Sequence, residues 1–392
     1  MSRLCPSRTL ALLLLAAAAG CAAPPERLEP PPGQAEIAQL PTIPAARQWG
    51  DEPPRELQAW LSLPQETLRQ THSGVMGREH DYLVLSGGGG NGAFGAGLLA
   101  GWTAHGSRPE FQIVSGTSTG ALIAPFAFLG PAYDATLREV YTRYSTGDLV
   151  EPRGLVRILR GDAALSTGRL RALIARYLDE EVIAAIAAEG ARGRSLFVGT
   201  TNLDAGRPVV WDLTRIAALG TPEARELMYD VILASTAIPG AFPPVMIEVE
   251  VDGQRYDEMH VDGGVTSQLF LASLGIDWTE VLTHLEVQGA PDLYVIRNAR
   301  IRQDAKAVPR RLVPVLTRTV STLIRAQGIG DLAKLYAVSG EHGFNYHVAY
   351  IPDSFEGEPA ETFDREYMTR LFEFGYELAR SGQQWTMVPT GE

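Results

Sequence analysis

The stretch that decides the fold begins Tyr82-Leu83-Val84-Leu85-Ser86-Gly87-Gly88-Gly89-Gly90-Asn91-Gly92. A short apolar run ending in glycines predicts a strand buried on both faces, as in a parallel sheet. Phe94, Leu98 and Trp102 then recur four residues apart, which predicts a helix over Ala93 to His105. Phe111 to Ser115 is a second apolar run. It leads into Gly116-Thr117-Ser118-Thr119-Gly120 and an apolar helical pattern over Ala121 to Leu129, with Pro125 inside it. Strand, loop, helix, strand, turn, helix is the order of an α/β fold with a mainly parallel sheet.

Downstream, Ser166 is a candidate cap for a helix with Leu170, Leu173, Ile174 and Tyr177 on one face. Ser195 to Thr201 and Pro208 to Trp211 predict strands joined by the turn Asp204-Ala205-Gly206. Val245 to Val251 and Arg255 to Val261 predict a hairpin through Asp252-Gly253. Leu293 to Ile296 and Tyr346 to Ile351 are further strands. A last helix is expected over Asp364 to Arg380, with Tyr367, Leu371, Phe374 and Leu378 on one face.

At 392 residues and 45% hydrophobic, the chain has ample material for a core. A net charge of −12 argues against nucleic-acid binding through an overall positive field, so no nucleic-acid partner is expected. Two cysteines exclude a disulfide framework and a cysteine-rich zinc site. The seven histidines include no H-E-x-x-H pair, so no metal or other cofactor is expected.

Residues 1–20 read as an export signal. Arg3 and Arg8 precede an uninterrupted Leu/Ala run from Leu10 to Ala19, too short for a span of about 20 residues. Ala18-Ala19-Gly20-Cys21 resembles the bacterial lipoprotein signal, in which the cysteine is lipidated and becomes the mature N-terminus; Ala18 stands where Leu is usual. An ordinary secretory signal cut near Ala19 or Ala23 is the alternative. With Ala22 rather than Asp after the cysteine, the signal resembles that of Gram-negative lipoproteins sorted to the outer membrane, which implies a site facing the periplasm. Loss of residues 1–20 would make the net charge −14. Nine of the 33 residues from 22 to 54 are proline, so 21–54 is expected to be an extended, unpacked tether. The folded domain is then expected over 55–392, with a helical extension at its C-terminal end.

Gly116 to Gly120 matches G-x-S-x-G between a strand and a helix, the context in which a nucleophile elbow exposes the serine oxygen. The glycine loop Gly87 to Gly92 also joins a strand to a helix and offers backbone N–H groups to an anion. A nucleotide phosphate fits poorly, because no G-x-x-x-x-G-K-[ST] is present. A reaction oxyanion fits better. Asp262-Gly263-Gly264 ends a predicted strand. Aspartate before glycine is most often a turn former. Asp262 can serve as a base only if burial raises its pKa from about 3.9.

Together these elements resemble the patatin-like phospholipase family. The resemblance also covers Ala234-Ser235-Thr236-Ala237-Ile238-Pro239 with Phe242-Pro243, and spans Leu83 to Val265. It implies a three-layer α/β/α fold and hydrolysis of lipid acyl esters, with phospholipid or lysophospholipid as substrate and no metal. It implies a Ser118–Asp262 dyad, an oxyanion hole at Gly88, Gly89 and Gly90, and elbow glycines Gly116 and Gly120. Asn91 departs from the pattern, standing where Arg or Lys is usual, so that fixed charge is absent while the backbone donors remain. Two rivals stay open. One is an α/β-hydrolase triad using His284, His342 or His347; the other is a non-catalytic envelope lipoprotein on a degenerate hydrolase fold. His260, two residues before Asp262, reads as structural or at most as a support for the site.

Between Arg297 and Arg325 lie eight basic residues and one acid, interleaved with Leu312, Val315, Leu316, Val320 and Leu323. This predicts a solvated helix with an apolar core side. The alternative is a membrane-facing patch for anionic headgroups.

Overall fold

The computed structural model describes residues 27–41, 43, 45–152, 163–302 and 307–387. Its apolar runs become one nine-stranded sheet: β1 (Arg47–Trp49), β2 (Asp81–Leu85), β3 (Ile113–Thr117), β4 (Ser195–Asn202), β5 (Arg207–Asp212), β6 (Val245–Val251), β7 (Gln254–Asp262), β8 (Asp292–Arg297) and β9 (Asn345–Tyr350). The order is β1-β5-β4-β3-β2-β8-β9. Strands β4, β3, β2, β8 and β9 are parallel neighbours and form the centre. Antiparallel pairing adds β5 and β1 on one side of β4, and the β6–β7 hairpin through β7. That hairpin turns at Asp252 (φ 50°) and Gly253 (φ 80°), as the Asp-Gly pair predicts.

Parallel neighbours need long crossovers, which supply most of the helices. These are α1 (Gly92–His105), α2 (Thr119–Leu129), α3 (Asp134–Arg143), α4 (Gly168–Tyr177), α5 (Glu180–Gly190), α6 (Pro222–Ser235), α7 (Leu312–His342) and α8 (Arg365–Arg380). Alternation along the strands builds two cores. Leu83, Leu85, Val114, Leu196 and Val198 face α1, α2 and α8. Tyr82, Val84, Leu293 and Val295 face Leu332 and Leu335 of α7 and the short helix Trp278–His284. Helices on both faces of a mainly parallel centre make the fold α/β/α. Helix α8 starts where Asp364 accepts the N–H groups of Glu366 (3.0 Å) and Tyr367 (3.1 Å). It buries Leu371 and Phe372 in the core.

Three expectations need correction. The tether expected over 21–54 does not run to residue 54. Arg47–Trp49 pairs with β5, Arg47 forms an ion pair with buried Glu258, and Leu40, Ile43, Ala46 and Trp49 are buried. Proline limits sheet hydrogen bonding, but the run Arg47-Gln48-Trp49 contains none, so it can add an edge strand. Ser166 does not cap α4: it lies in a two-residue strand against Glu151–Pro152, and the N-cap is Thr167, without a side-chain bond. The basic segment is not one solvated face over a core. Arg297 is buried at the end of β8, whereas Val315, Val320 and Leu323 are exposed. Residues 1–20 and Cys21 lie outside the described residues. Among those described, no helix is long and apolar enough to cross a membrane.

Candidate active site

At the end of β3 the chain turns sharply into α2. Ser118 takes φ 54°, ψ −122°, a strained conformation for a residue with a side chain, costing about 1–3 kcal/mol. The turn is tight because its glycines leave no room for anything larger. A Cβ at Gly120 would lie 2.3 Å from the Leu85 carbonyl oxygen, and one at Gly116 would lie 2.4 Å from that of Gly120. Ser118 therefore stands at the N-terminus of α2, where partial positive charge favours a developing anion.

Asp262 ends β7, opposite Thr200 of β4. Its N–H donates to the Ala237 carbonyl (3.0 Å), and the Thr201 hydroxyl donates to its own carbonyl (3.1 Å). Its Oδ1 accepts the Gly264 N–H at 2.7 Å. Burial raises its pKa to about 6, against the Ser118 hydroxyl and the Gly264 N–H, which favour the ionised form. The sheet thus brings the two predicted residues together, with the aspartate tuned towards a useful base.

The glycine loop lies beside this pair. A Cβ at Gly87 would be 3.1 Å from Ser118 Cβ. Asn298 braces the loop from the end of β8: its N–H donates to Ser86 Oγ (2.8 Å), its Nδ2 donates to the Ser86 carbonyl (2.9 Å), and its Oδ1 accepts the Gly95 N–H (3.0 Å). Asn91 accepts the Tyr367 hydroxyl (2.9 Å).

Two cavities meet at Gly89, Ser118 and Ile238. One, of about 1420 Å³, is walled by Gly88, Gly90 and Asp262 and by Arg297, Arg300, Arg318 and Arg325. The other, of about 90 Å³, is apolar and walled by Leu122, Phe126, Ile174 and Phe242 among others. A third cavity, of about 540 Å³, lies under the N-terminal segment near Gln112 and Ser195, at the far end of the parallel strands, and contains neither Ser118 nor Asp262.

No histidine lines either cavity at Ser118 among the described residues. His260 is fully buried between Thr200 and Glu258. His284 meets the Trp60 ring, His342 meets Thr279, and His347 pairs with Asp292. A histidine triad therefore finds no support here.

Ser235 has a role that the resemblance of its segment does not assign. It is fully buried, its hydroxyl accepts the Ser118 N–H (2.9 Å), and it donates to the Gly199 carbonyl (2.7 Å). The segment Ala234 to Pro239 thus holds both members of the pair, Ser118 through Ser235 and Asp262 through Ala237. Ser235→Ala leaves the Ser118 N–H unpaired in a buried position, at a cost of about 1–3 kcal/mol. The expected result is a kcat lowered about tenfold with little change in KM, together with a lower Tm. Steady-state kinetics beside a melting curve checks it, and an unchanged kcat would remove the positioning role.

No curated protein matches the chain. Among solved structures it is similar to VipD from Legionella pneumophila, with 14% identity over 78% of this chain and 67% of that one and a TM-score of 0.36. Residues 83–274, the span that carries the glycine loop, Ser118, Ser235 and Asp262, match the family model described as patatin-like phospholipase.

Proposed function

We propose that the chain is a serine hydrolase of lipid acyl esters, of phospholipase A or lysophospholipase type. One observation carries the reading: Ser118, with Asp262 beside it, stands where an apolar cavity meets a wide, arginine-lined one. An amphipathic ester fits that junction, with its acyl chain on the apolar side and its headgroup on the other. Asp262 takes the proton from Ser118 Oγ as the oxygen attacks the acyl carbonyl carbon. Backbone N–H groups of Gly88, Gly89 and Gly90 hold the oxyanion, each such donor contributing about 10²–10³ in rate. The tetrahedral intermediate collapses to an acyl-enzyme, and the leaving alcohol takes the proton from Asp262. Water, deprotonated by Asp262, then attacks the acyl-enzyme; as the fatty acid leaves, Ser118 Oγ recovers the proton from Asp262. A fluorophosphonate probe is expected to label the wild type and not Ser118→Ala. Absence of label on folded wild type, or equal label on both, would sink the reading in favour of a non-catalytic lipoprotein.

The same reading places the enzyme at a membrane: residues 1–20 direct export, and lipidated Cys21 anchors the protein in the outer membrane, facing the periplasm. Arg300, Arg302 and Arg318, which line the wide cavity together with exposed Val320 and Leu323, then meet anionic headgroups. Cys21→Ser is expected to move the protein to the soluble fraction. Protein lacking residues 1–21 is expected to bind phosphatidylglycerol vesicles more weakly once the three arginines become glutamine. Unchanged fractionation would remove the lipid anchor, and unchanged vesicle binding the patch.

A further inference from the structure

Arg297 ends β8, on the same sheet face as Leu293 and Val295, and so points towards α7 rather than outward. Only 3% of it is exposed, yet it lines the cavity that contains Ser118. Its Nε is buried with no hydrogen-bond partner, and among the described residues it makes no ion pair. Asp331, the carboxylate whose charge acts on Arg297, bonds elsewhere. Its Oδ2 accepts the N–H groups of Gln268 (2.7 Å) and Leu269 (3.3 Å), and its Oδ1 faces Lys334 at 3.4 Å. Burial and neighbouring Arg325, opposed by the charge of Asp331, lower the Arg297 pKa to about 10, so the guanidinium stays charged at neutral pH. Arg325 is itself tied to the Ile301 carbonyl (2.7 Å), and Arg300 to that of Phe355.

A buried cation that makes no ion pair among the described residues is a liability for folding, and arginine is the side chain whose planar fork best grips a phosphate. Asp353, Glu356 and Glu358 also line the cavity, so an anion is held there only where an arginine without an acidic partner meets it. We infer that Arg297 binds the phosphate of the lipid headgroup while the ester of the same molecule lies at Ser118. This rests on the acyl-ester hydrolase reading and deepens it. The substrate is a phosphate-bearing glycerolipid, selected over a neutral one by a residue beyond the family match at residues 83–274.

The test compares two soluble substrates with the same acyl chains, dihexanoyl phosphatidylglycerol and dihexanoylglycerol. The ratio of their kcat/KM values is expected to favour the phospholipid in the wild type. Arg297→Met is expected to reduce that ratio by about 10- to 100-fold, and Arg297→Lys by less. The Tm of Arg297→Met is expected to equal or exceed that of the wild type, because a buried unpaired charge is lost. An unchanged ratio, or an equal fall for both substrates with a lower Tm, overturns the inference. Calorimetry on Ser118→Ala separates it from the hydrolase reading. There, Arg297-dependent binding of dihexanoyl phosphatidylglycerol supports the inference even if the wild type hydrolyses nothing, and binding that ignores Arg297 overturns it. Inorganic phosphate is the third arm: if it binds as tightly as the lipid, the site is for free phosphate and the lipid assignment falls.

Discussion

Asp262→Asn is expected to lower kcat/KM for ester substrates by about 10³- to 10⁴-fold. The amide keeps the size and the Gly264 contact of the carboxylate (2.7 Å) but cannot take the serine proton. The pH profile of the wild type carries the same information. Burial sets the Asp262 pKa at about 6, so kcat/KM is expected to level off above that pH and fall tenfold per unit below it. The effect on stability has the opposite sign. A carboxyl whose folded pKa lies above its unfolded value of about 3.9 holds its proton more tightly in the folded state. Its contribution to stability is present below about pH 4 and is lost as the pH rises through about 6. Asp262→Asn is therefore expected to melt higher than the wild type at neutral pH, an advantage that disappears by about pH 4. Rates and melting curves across that range check both halves. A variant that keeps its rate, or a kinetic midpoint near 4, would remove Asp262 from the role of base.

The elbow and the glycine loop were legible because each is local. A strand, a few glycines and a helix are contiguous in sequence, and their order alone points to a parallel sheet. Strand limits drifted where a loop residue reached the core. Phe111 is buried, yet β3 begins at Ile113. What lay beyond local reading was anything set by sheet order. That β7 pairs with β4, and so delivers Asp262 to Ser118, follows from a pairing between distant segments that spacing does not encode. Ser235 and Asn298 belong to the same category: each contributes one polar side chain whose partner is far away in the chain. Arg297 did leave a signal. Counted with Leu293 and Val295 by twos, it faces inward, but reading it with the basic run put it at the surface. The N-terminal segment misled because proline content outweighed the spacing of Leu40, Ile43, Ala46 and Trp49, which sends one apolar side chain into the core every three residues.

The apolar cavity makes the second large effect a change in chain-length selectivity. Its wall includes Tyr141, Tyr144 and Tyr177, whose hydroxyls would make it polar if they were unpaired. They are paired with one another or with the fold. The Tyr141 hydroxyl bonds the Thr119 side chain at 2.6 Å, and the Tyr144 and Tyr177 hydroxyls bond each other at 2.8 Å. The rings therefore present carbon to the cavity, as do Leu122, Phe126 and Ile174. Burying a methylene there contributes about 0.8 kcal/mol. Leu122 lies on α2, one helical turn beyond Ser118, so Leu122→Trp would fill the part of the cavity beyond the first carbons of the acyl chain. Loss of room for about four methylenes amounts to about 3 kcal/mol, which is about 10² in rate. The ratio of kcat/KM for palmitoyl over butyryl esters of one alcohol is expected to fall by that factor in Leu122→Trp. A folded variant that keeps the wild-type ratio would mean that the acyl chain lies outside this cavity, and the arginine-lined cavity would then have to hold both ends of the lipid.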